Sequence, residues 1–148
     1  EGLDAIILAA AGLIRLGWDD RITEIISPEV LLPAMGQGAV GIETRKNDVD
    51  NQILLADMDD EETHYALDAE RALVSELEGG CNVPIGSYAT INGDQITLTG
   101  LVASLDGKTM YKKELSDLKT NAIALGRKVG GELIDMGADR IMRDIQSH

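Results

Sequence analysis

The hydrophobic pattern of the second half of the chain limits its fold more than any other feature of the sequence. Apolar and polar residues alternate in three segments, 85–91, 95–103 and 108–115, and this period of two predicts β-strands. The turn sequences between them, Asn92-Gly93-Asp94 and Asp106-Gly107, are strong hairpin signals. Three strands joined by hairpins form an antiparallel meander, and one face of such a sheet has to be covered.

Two helical repeats flank the predicted sheet and can cover that face. The repeat after the strands ends at Gly137 and places five apolar residues on one side: Ala122, Leu125, Val129, Leu133 and Met136. The repeat before the strands is marked by Ala66, Ala69, Leu73 and Leu77. A last short helix is indicated by Ile141, Met142 and Ile145. We therefore expect an α+β domain over residues 59–148, with a three-stranded antiparallel sheet covered by helices.

The first 58 residues have a different pattern. The apolar run 3–8 predicts a buried strand, and small residues lead from it into a brief helix that ends near Gly17. Two further short strands and a short helix are predicted at 22–26, 39–44 and 49–58. A buried strand that passes directly into a helix is typical of an α/β unit, and a parallel strand needs neighbours. We expect residues 1–58 to be a partial α/β segment whose neighbouring strands lie N-terminal to this chain.

The charge and the cysteine content exclude several classes of function. The chain has 26 acidic and 13 basic residues and a net charge of -13, which disfavours binding to nucleic acid or to anionic membranes. No uninterrupted apolar run is long enough to span a bilayer. A single cysteine excludes an internal disulfide and a cysteine-cluster metal site, and it suits a reducing, cytoplasmic location.

The acidic run Asp59-Asp60-Glu61-Glu62 marks the start of the helix before the sheet. Asp59 and Glu62 fit a capping box, and the negative charges complement the positive end of the helix dipole. Metal ligands usually alternate with spacer residues and glycine, whereas these carboxylates are contiguous. We therefore predict a solvated helix cap and no metal site, with His64 on the polar side of the helix.

Cys81 lies in a short loop between this helix and the first strand. Gly79 supplies the left-handed residue with which helices commonly end, Gly80 allows a sharp turn, and Pro84 keeps the loop out of a central strand. The thiol follows a helix C-terminus and neighbouring glutamates, which do not stabilise the thiolate that a hydrolase or a redox protein needs. Two interpretations remain open: a small buried hydrophobic residue, or a thiol that a strongly electrophilic carbon alkylates to a stable thioether.

Arg15 lies in the last turn of the brief N-terminal helix. A cation there is favourable because it faces the negative end of the helix dipole, so Arg15 can be purely structural. Alternatively, its planar guanidinium can bind a carboxylate through two hydrogen bonds. The residues alone leave both interpretations open.

The segment Gly36-Gln37-Gly38-Ala39-Val40-Gly41 has the spacing of a nucleotide-binding glycine motif. Such a motif needs a strand before it and a helix that opens inside it. Here Pro33 stands just upstream, and the residues that follow predict a strand. We therefore reject a dinucleotide site and expect a flexible, close-packed crossing in which glycines let the backbone bend and approach.

Four separated motifs together carry a resemblance to a known family. They are Glu78-Gly79-Gly80-Cys81-Asn82-Val83-Pro84-Ile85-Gly86, Leu3-Asp4-Ala5-Ile6 with residues 10–17, the segment 32–43, and Ala69-Glu70-Arg71-Ala72. In this order they resemble the porphobilinogen deaminase family, also called hydroxymethylbilane synthases. The resemblance covers nearly the whole chain but only the C-terminal half of a family member, so we expect a fragment.

The resemblance implies a transferase of tetrapyrrole biosynthesis. It condenses four porphobilinogen molecules into hydroxymethylbilane with loss of ammonia, on a dipyrromethane cofactor held as a thioether by Cys81. Arg15 would bind carboxylates of the growing pyrrole chain, and Gln37 and Gly38 would face the active-site cleft where segment 32–43 passes between domains. The family's catalytic aspartate lies N-terminal to this chain, so no catalytic residue is expected here. The expected partners are porphobilinogen, the growing chain and the missing N-terminal domains.

Two points stay open beside this resemblance. Arg71 is expected to be structural, paired with Glu70 or Glu78 or holding the loop against another domain. The competing function is a non-catalytic acidic α+β module for binding or structure, in which Cys81 is inert and buried.

Overall fold

The computed structural model of the chain describes residues 2–77 and 83–146. The chain forms two compact units, residues 1–31 and residues 32–148. No helix in the described ranges is both long and apolar enough to cross a membrane. The predicted domain boundary between residues 58 and 59 stays a prediction.

The first unit contains one short helix and a 3₁₀ turn. Helix α1 spans Ala10–Arg15, and Gly17, with φ of +70°, lets the chain turn back so that the Trp18 amide donates to the Leu13 carbonyl. The 3₁₀ turn spans Asp19–Arg21. No side chain among residues 2–31 is fully buried. The brief helix that ends near Gly17 is therefore confirmed.

The strands predicted at 3–8, 22–26 and 39–44 are wrong for the described chain. These segments have no regular secondary structure, and Val40 for example is 90% exposed. A strand forms only when a neighbour accepts its backbone hydrogen bonds. Among the described residues the only sheet is the one after residue 84, and none of these segments belongs to it.

The second unit contains all the strands and the longer helices of the described chain. Its elements are α2 Val49–Leu55, α3 Glu61–Glu76, β1 Ile85–Asn92, β2 Gln95–Ala103, β3 Met110–Leu118, α4 Ala122–Met136 and α5 Ala138–Gln146. A 3₁₀ turn extends α2 over Ala56–Met58, which confirms the helix predicted at 49–58. The α+β class is likewise confirmed.

The sheet is an antiparallel meander in the order β1-β2-β3. Asn92 pairs with Gln95 across a two-residue turn in which Gly93 has φ of +62°, a conformation that favours glycine. The third strand begins two residues later than predicted because Ser104 and Thr109 close a six-residue loop, the Ser104 amide donating to the Thr109 carbonyl at 2.9 Å. Pairing therefore starts only at Met110.

Helices α3 and α4 cross at close range over one face of the sheet. Gly126 faces α3 so closely that an added Cβ would lie 2.7 Å from Ala72 Cβ and would clash with the Ala69 carbonyl. Gly100 of β2 also lies close to α3, because a Cβ there would lie 2.5 Å from Leu73 Cδ1. Small residues thus set the distance between the layers, and larger apolar side chains fill the core around them. The core includes Leu73, Leu77, Ile96, Leu98, Val102, Leu125, Val129 and Leu133.

The crossing generates a stability prediction with a matched control in the same helix. Gly126→Ala is expected to destabilise the chain by about 1–3 kcal/mol, because the methyl group is forced into the backbone of α3. Gly131→Ala, where an added Cβ meets nothing within 4 Å, is expected to be neutral or to stabilise by up to about 1 kcal/mol, since alanine is the better helix former. Urea denaturation of both variants measures the difference, and equal effects would contradict the close crossing.

Candidate functional site

Helix α3 and strand β1 lie on either side, in the sequence, of the segment predicted to be the Cys81 loop. Leu77, at the end of α3, is only 2% exposed and belongs to the core. On the other side, the Pro84 carbonyl accepts a hydrogen bond from the Ala103 amide at 3.0 Å, and β1 begins with the next residue. Cys81 itself, with the predicted stop at Gly79, lies outside the described residues. Both ends of its loop are fixed to the core.

Gln37 and Gly38 lie in a tight turn at the rim of an open cleft. The Gln37 amide donates to the Ala34 carbonyl at 3.1 Å, and both Gln37 and Gly38 are exposed. The cleft has a volume of about 920 Å³ and is bounded by segment 33–44, α2, α3 and Tyr88. The structure therefore brings Gln37 and Gly38 together on one concave surface of the second unit.

The expectation of a close-packed glycine crossing is wrong for most of this segment. An added Cβ at Gly38 or Gly41 would meet nothing within 4 Å. Gly36 is the exception, because its φ is +69° and its neighbour is Leu67 of α3, 3.4 Å from a Cβ placed there. Among these three glycines, only Gly36 has a backbone conformation that favours glycine.

The carboxylate of Glu70 holds Gly36 in this position. Glu70 is only 7% exposed, and its Oε2 accepts from the Gly36 amide at 2.8 Å while Oε1 accepts from the Ala89 amide at 2.9 Å. Hydrogen bonds from amides to an ionised acceptor are stronger than those between neutral groups. One buried side chain thus joins α3 to the turn before Gln37 and to β1.

This role of Glu70 is not predicted from the sequence, where Glu70 is considered only as a partner for Arg71. The structure shows no ion pair between them in the described ranges, and Arg71 is exposed at the cleft. A signal was available, because position 70 adjoins Ala69 and Leu73 on the buried side of α3. A lone glutamate among core positions has to find buried donors. The pairing of Arg71 with Glu78 lies outside the described residues.

Arg15 is the last residue of α1, in the first unit. Its side chain is exposed, and it is the basic residue of the last turn, which suits the negative end of the helix. Arg21, in the same unit, instead stacks its guanidinium over Trp18, 4.8 Å from the ring centroid. The position of Arg15 thus fits a structural role at the end of its helix, and its predicted binding role stays a prediction.

The cap of α3 differs by one residue from the prediction. Asp60, not Asp59, is the N-cap, because its Oδ1 accepts from the Thr63 amide at 2.7 Å. Hydrogen bonding from Thr63 lowers the pKa of Asp60 below its usual value. Asp59 instead contacts His64 at 2.6 Å, and this hydrogen bond and its charge raise the pKa of His64. His64 is exposed, as predicted, and lies at the cleft.

Two family models match the chain in succession. Residues 1–53 match the model described as porphobilinogen deaminase, dipyromethane cofactor binding domain. Residues 64–135 match porphobilinogen deaminase, C-terminal domain. The chain therefore matches a family model named for cofactor binding, followed by the model of an α+β C-terminal domain.

Two curated proteins that are similar to this chain carry the same family name as both models. The porphobilinogen deaminase of Syntrophobacter fumaroxidans is 49% identical over 142 residues, 96% of this chain and 46% of the relative. The porphobilinogen deaminase of Exiguobacterium sp. is 44% identical over 146 residues, 98% of this chain and 47% of the relative. The chain belongs to the porphobilinogen deaminase family, and it spans about half the length of these curated relatives. The predicted roles of Cys81, Arg15, Gln37 and Gly38 stay predictions.

The contact between Asp59 and His64 generates a prediction about pH. Because the pKa of His64 is raised above 6.5, the contact stabilises the folded chain below about pH 6.5, and this contribution is lost as the pH rises through the raised value. Asp59→Asn removes the negative charge and is expected to return the pKa of His64 towards 6.5. NMR titration of the imidazole, assigned with His64→Gln, measures the shift, and an unchanged pKa in Asp59→Asn would contradict the contact.

Proposed function

We propose that the chain is the cofactor-carrying part of a transferase that condenses four porphobilinogen molecules into hydroxymethylbilane and releases ammonia at each step. The observation that carries the proposal is the family match, which extends over both parts of the chain and names a dipyrromethane cofactor domain. In this proposal Cys81 holds the cofactor as a thioether. The cofactor, when bound, supplies the pyrrole that primes the growing chain.

The described residues fit a thiol that serves as an anchor. The loop of Cys81 starts from the buried Leu77 and returns to the sheet where the Pro84 carbonyl bonds to Ala103. An anchor has to stay in place through many cycles, and ends fixed to a packed core meet that need. No cation is needed to activate the sulfur, because a strongly electrophilic carbon reacts with a thiol that is not unusually acidic.

Arg15, Gln37 and Gly38 would bind the growing chain in this proposal. Every pyrrole ring carries an acetate and a propionate, and an arginine side chain binds a carboxylate with two parallel hydrogen bonds. Arg15 is exposed, so a carboxylate can reach its guanidinium, and the side-chain amide of the exposed Gln37 can donate to the same kind of group.

In this proposal the remaining groups come from an N-terminal half, since the chain spans only about half the length of its relatives. The chain has twice as many acidic as basic residues, 26 against 13, so it cannot by itself surround a chain of carboxylates with cations. We propose that the N-terminal half is the main partner and supplies the proton-transferring aspartate and most cations. A cytoplasmic location belongs to the same proposal, because a reducing compartment keeps the single thiol available for alkylation.

The first test concerns the thiol. In the intact protein that contains this chain, Cys81→Ser is expected to lower hydroxymethylbilane formation at least about a thousandfold, because a serine hydroxyl is a far weaker nucleophile than a thiol. The chain alone is expected not to condense porphobilinogen, since the groups that stabilise developing charge are absent. Porphobilinogen consumption measures both. Normal turnover in a Cys81→Ser protein with unchanged melting temperature would contradict the anchoring role of Cys81, whereas a protein that forms no hydroxymethylbilane even with Cys81 intact would favour the competing module.

The second test compares two arginines of the same unit. Arg15→Gln in the intact protein is expected to lower kcat/KM about tenfold or more, because a charged hydrogen bond to carboxylate is lost. Arg21→Gln, whose guanidinium already lies over Trp18, is expected to stay within about twofold of the unchanged protein. Equal effects on kcat/KM would show that Arg15 acts only at its helix end.

A further inference from the structure

The edge of strand β1 is covered by a segment that comes from far earlier in the chain. In β1 the amides of Ser87 and Ala89 point away from β2, and neither is left without an acceptor. The Ser87 amide donates to the Pro33 carbonyl at 2.9 Å, and the Ala89 amide donates to Glu70. Leu32 packs against the same strand, because its Cβ lies 3.2 Å from the position of a Cβ added at Gly86. Leu32 and Pro33 therefore lie against β1, and Gly36 is linked to the strand through Glu70.

Glu70 is the only side chain in the described ranges that hydrogen-bonds to both this segment and β1. Its two oxygens are each used once, by Gly36 and by Ala89. Gly36 directly precedes Gln37 and Gly38, and β1 directly follows the loop of Cys81. One carboxylate is thus bonded to the residue before Gln37 and to the strand that follows the undescribed residues around Cys81.

We propose that Glu70 is a positioning residue, which fixes the turn that bears Gln37 and Gly38 relative to the base of the Cys81 loop. A chain anchored on Cys81 can meet Gln37 and Gly38 in a repeatable geometry only if these two parts keep a fixed separation. The link between the two segments stands on the geometry alone, whereas its use in catalysis rests on the proposed function.

A carboxylate suits this role better than its amide. Both donors are backbone amides, so the bridging group has to accept at two positions, and only an ionised carboxylate offers two acceptors with no hydrogen of its own. Glu70→Gln keeps the size but turns one acceptor into a donor that faces an amide. One of the two bonds is then lost while the other can persist. Glu70→Asp keeps the charge but is one methylene shorter and cannot span the same gap.

Hydrogen exchange in the 148-residue chain tests the link without any activity measurement. In Glu70→Gln, the amide of Gly36 or of Ala89 is expected to exchange about tenfold faster or more, because one of the two bonds is lost. The amide of Leu98, in the central strand, reports global opening and is expected to accelerate by a smaller factor, because only the amide without an acceptor also loses its local protection. An equal acceleration of all three amides would overturn the proposal, because Glu70 would then only stabilise the fold.

A matched control lies on the same sheet. Glu114 accepts a hydrogen bond from the Thr99 hydroxyl at 2.8 Å, so Glu114→Gln makes the same chemical change elsewhere. This variant is expected to leave the exchange of Gly36 and Ala89 within twofold. If it accelerates them as much as Glu70→Gln does, the link is not specific to Glu70 and the proposal fails.

A spin label measures the separation itself. A nitroxide on Gln37→Cys, in a Cys81→Ser background, broadens nearby amide signals, among them that of Tyr88 in β1, which lines the same cleft as Gln37. Glu70→Gln is expected to change this broadening, whereas Glu114→Gln is expected to leave it unchanged. Should Glu70→Gln fail to fold, NMR correlation of the Glu70 carboxyl carbon with the amides of Gly36 and Ala89 tests the two bonds in the unchanged chain, and absence of both bonds overturns the proposal.

The consequence for catalysis is tested separately in the intact protein. Glu70→Gln is expected to slow chain elongation about tenfold or more while the mass of the loaded Cys81 peptide stays unchanged, since misplacement affects geometry and not anchoring. Unchanged elongation would overturn the positioning role. If Cys81 of the protein without substitutions carries no cofactor mass, the proposed function fails, whereas the exchange results on the link stand.

Discussion

The close crossing of α3 over α4 is the contact on which the rest of the second unit depends. Gly126 brings the two helix backbones so near that the side chains around Leu73 can reach both α4 and the sheet. The crossing also fixes the direction of α3, and with it the position of Leu77 at the start of the Cys81 loop. A loop cannot present a thiol repeatably unless the helix that leads into it is held in this way.

The same helix organises the edge of the sheet through a polar contact. Glu70 lies beside the core face of α3, and its carboxylate accepts from the amides of the partly buried Gly36 and of the buried Ala89 in β1. An exposed strand edge invites pairing with other chains, and here the segment from Leu32 to Gly36 covers it. Apolar packing thus sets the distance between the layers, and the Glu70 side chain joins α3 to Gly36 and to β1.

The sequence predicts the second unit well because its determinants are local. The alternation of apolar and polar residues predicts β2 at 95–103, and the structure has the same bounds. Gly137 ends α4 as predicted, in a left-handed conformation with φ of +112°. Contacts between distant residues are where prediction fails. The partners of Glu70 lie 34 and 19 residues away, at Gly36 and Ala89, so no local pattern identifies them. The apolar run 3–8 fails as a strand for a related reason, because pairing depends on a neighbouring strand and not on the run itself.

The candidate site shows the same difference between what local motifs predict and what contacts between distant residues determine. The family motifs locate Cys81, Arg15, Gln37 and Gly38, and the structure adds what holds two of them in place. The measurement that tests the central claim most directly is the mass of the tryptic peptide 72–108, which contains Cys81, from the intact protein. The account predicts this peptide with a dipyrromethane joined to the sulfur. An unmodified peptide from protein that forms hydroxymethylbilane at a normal rate would contradict it.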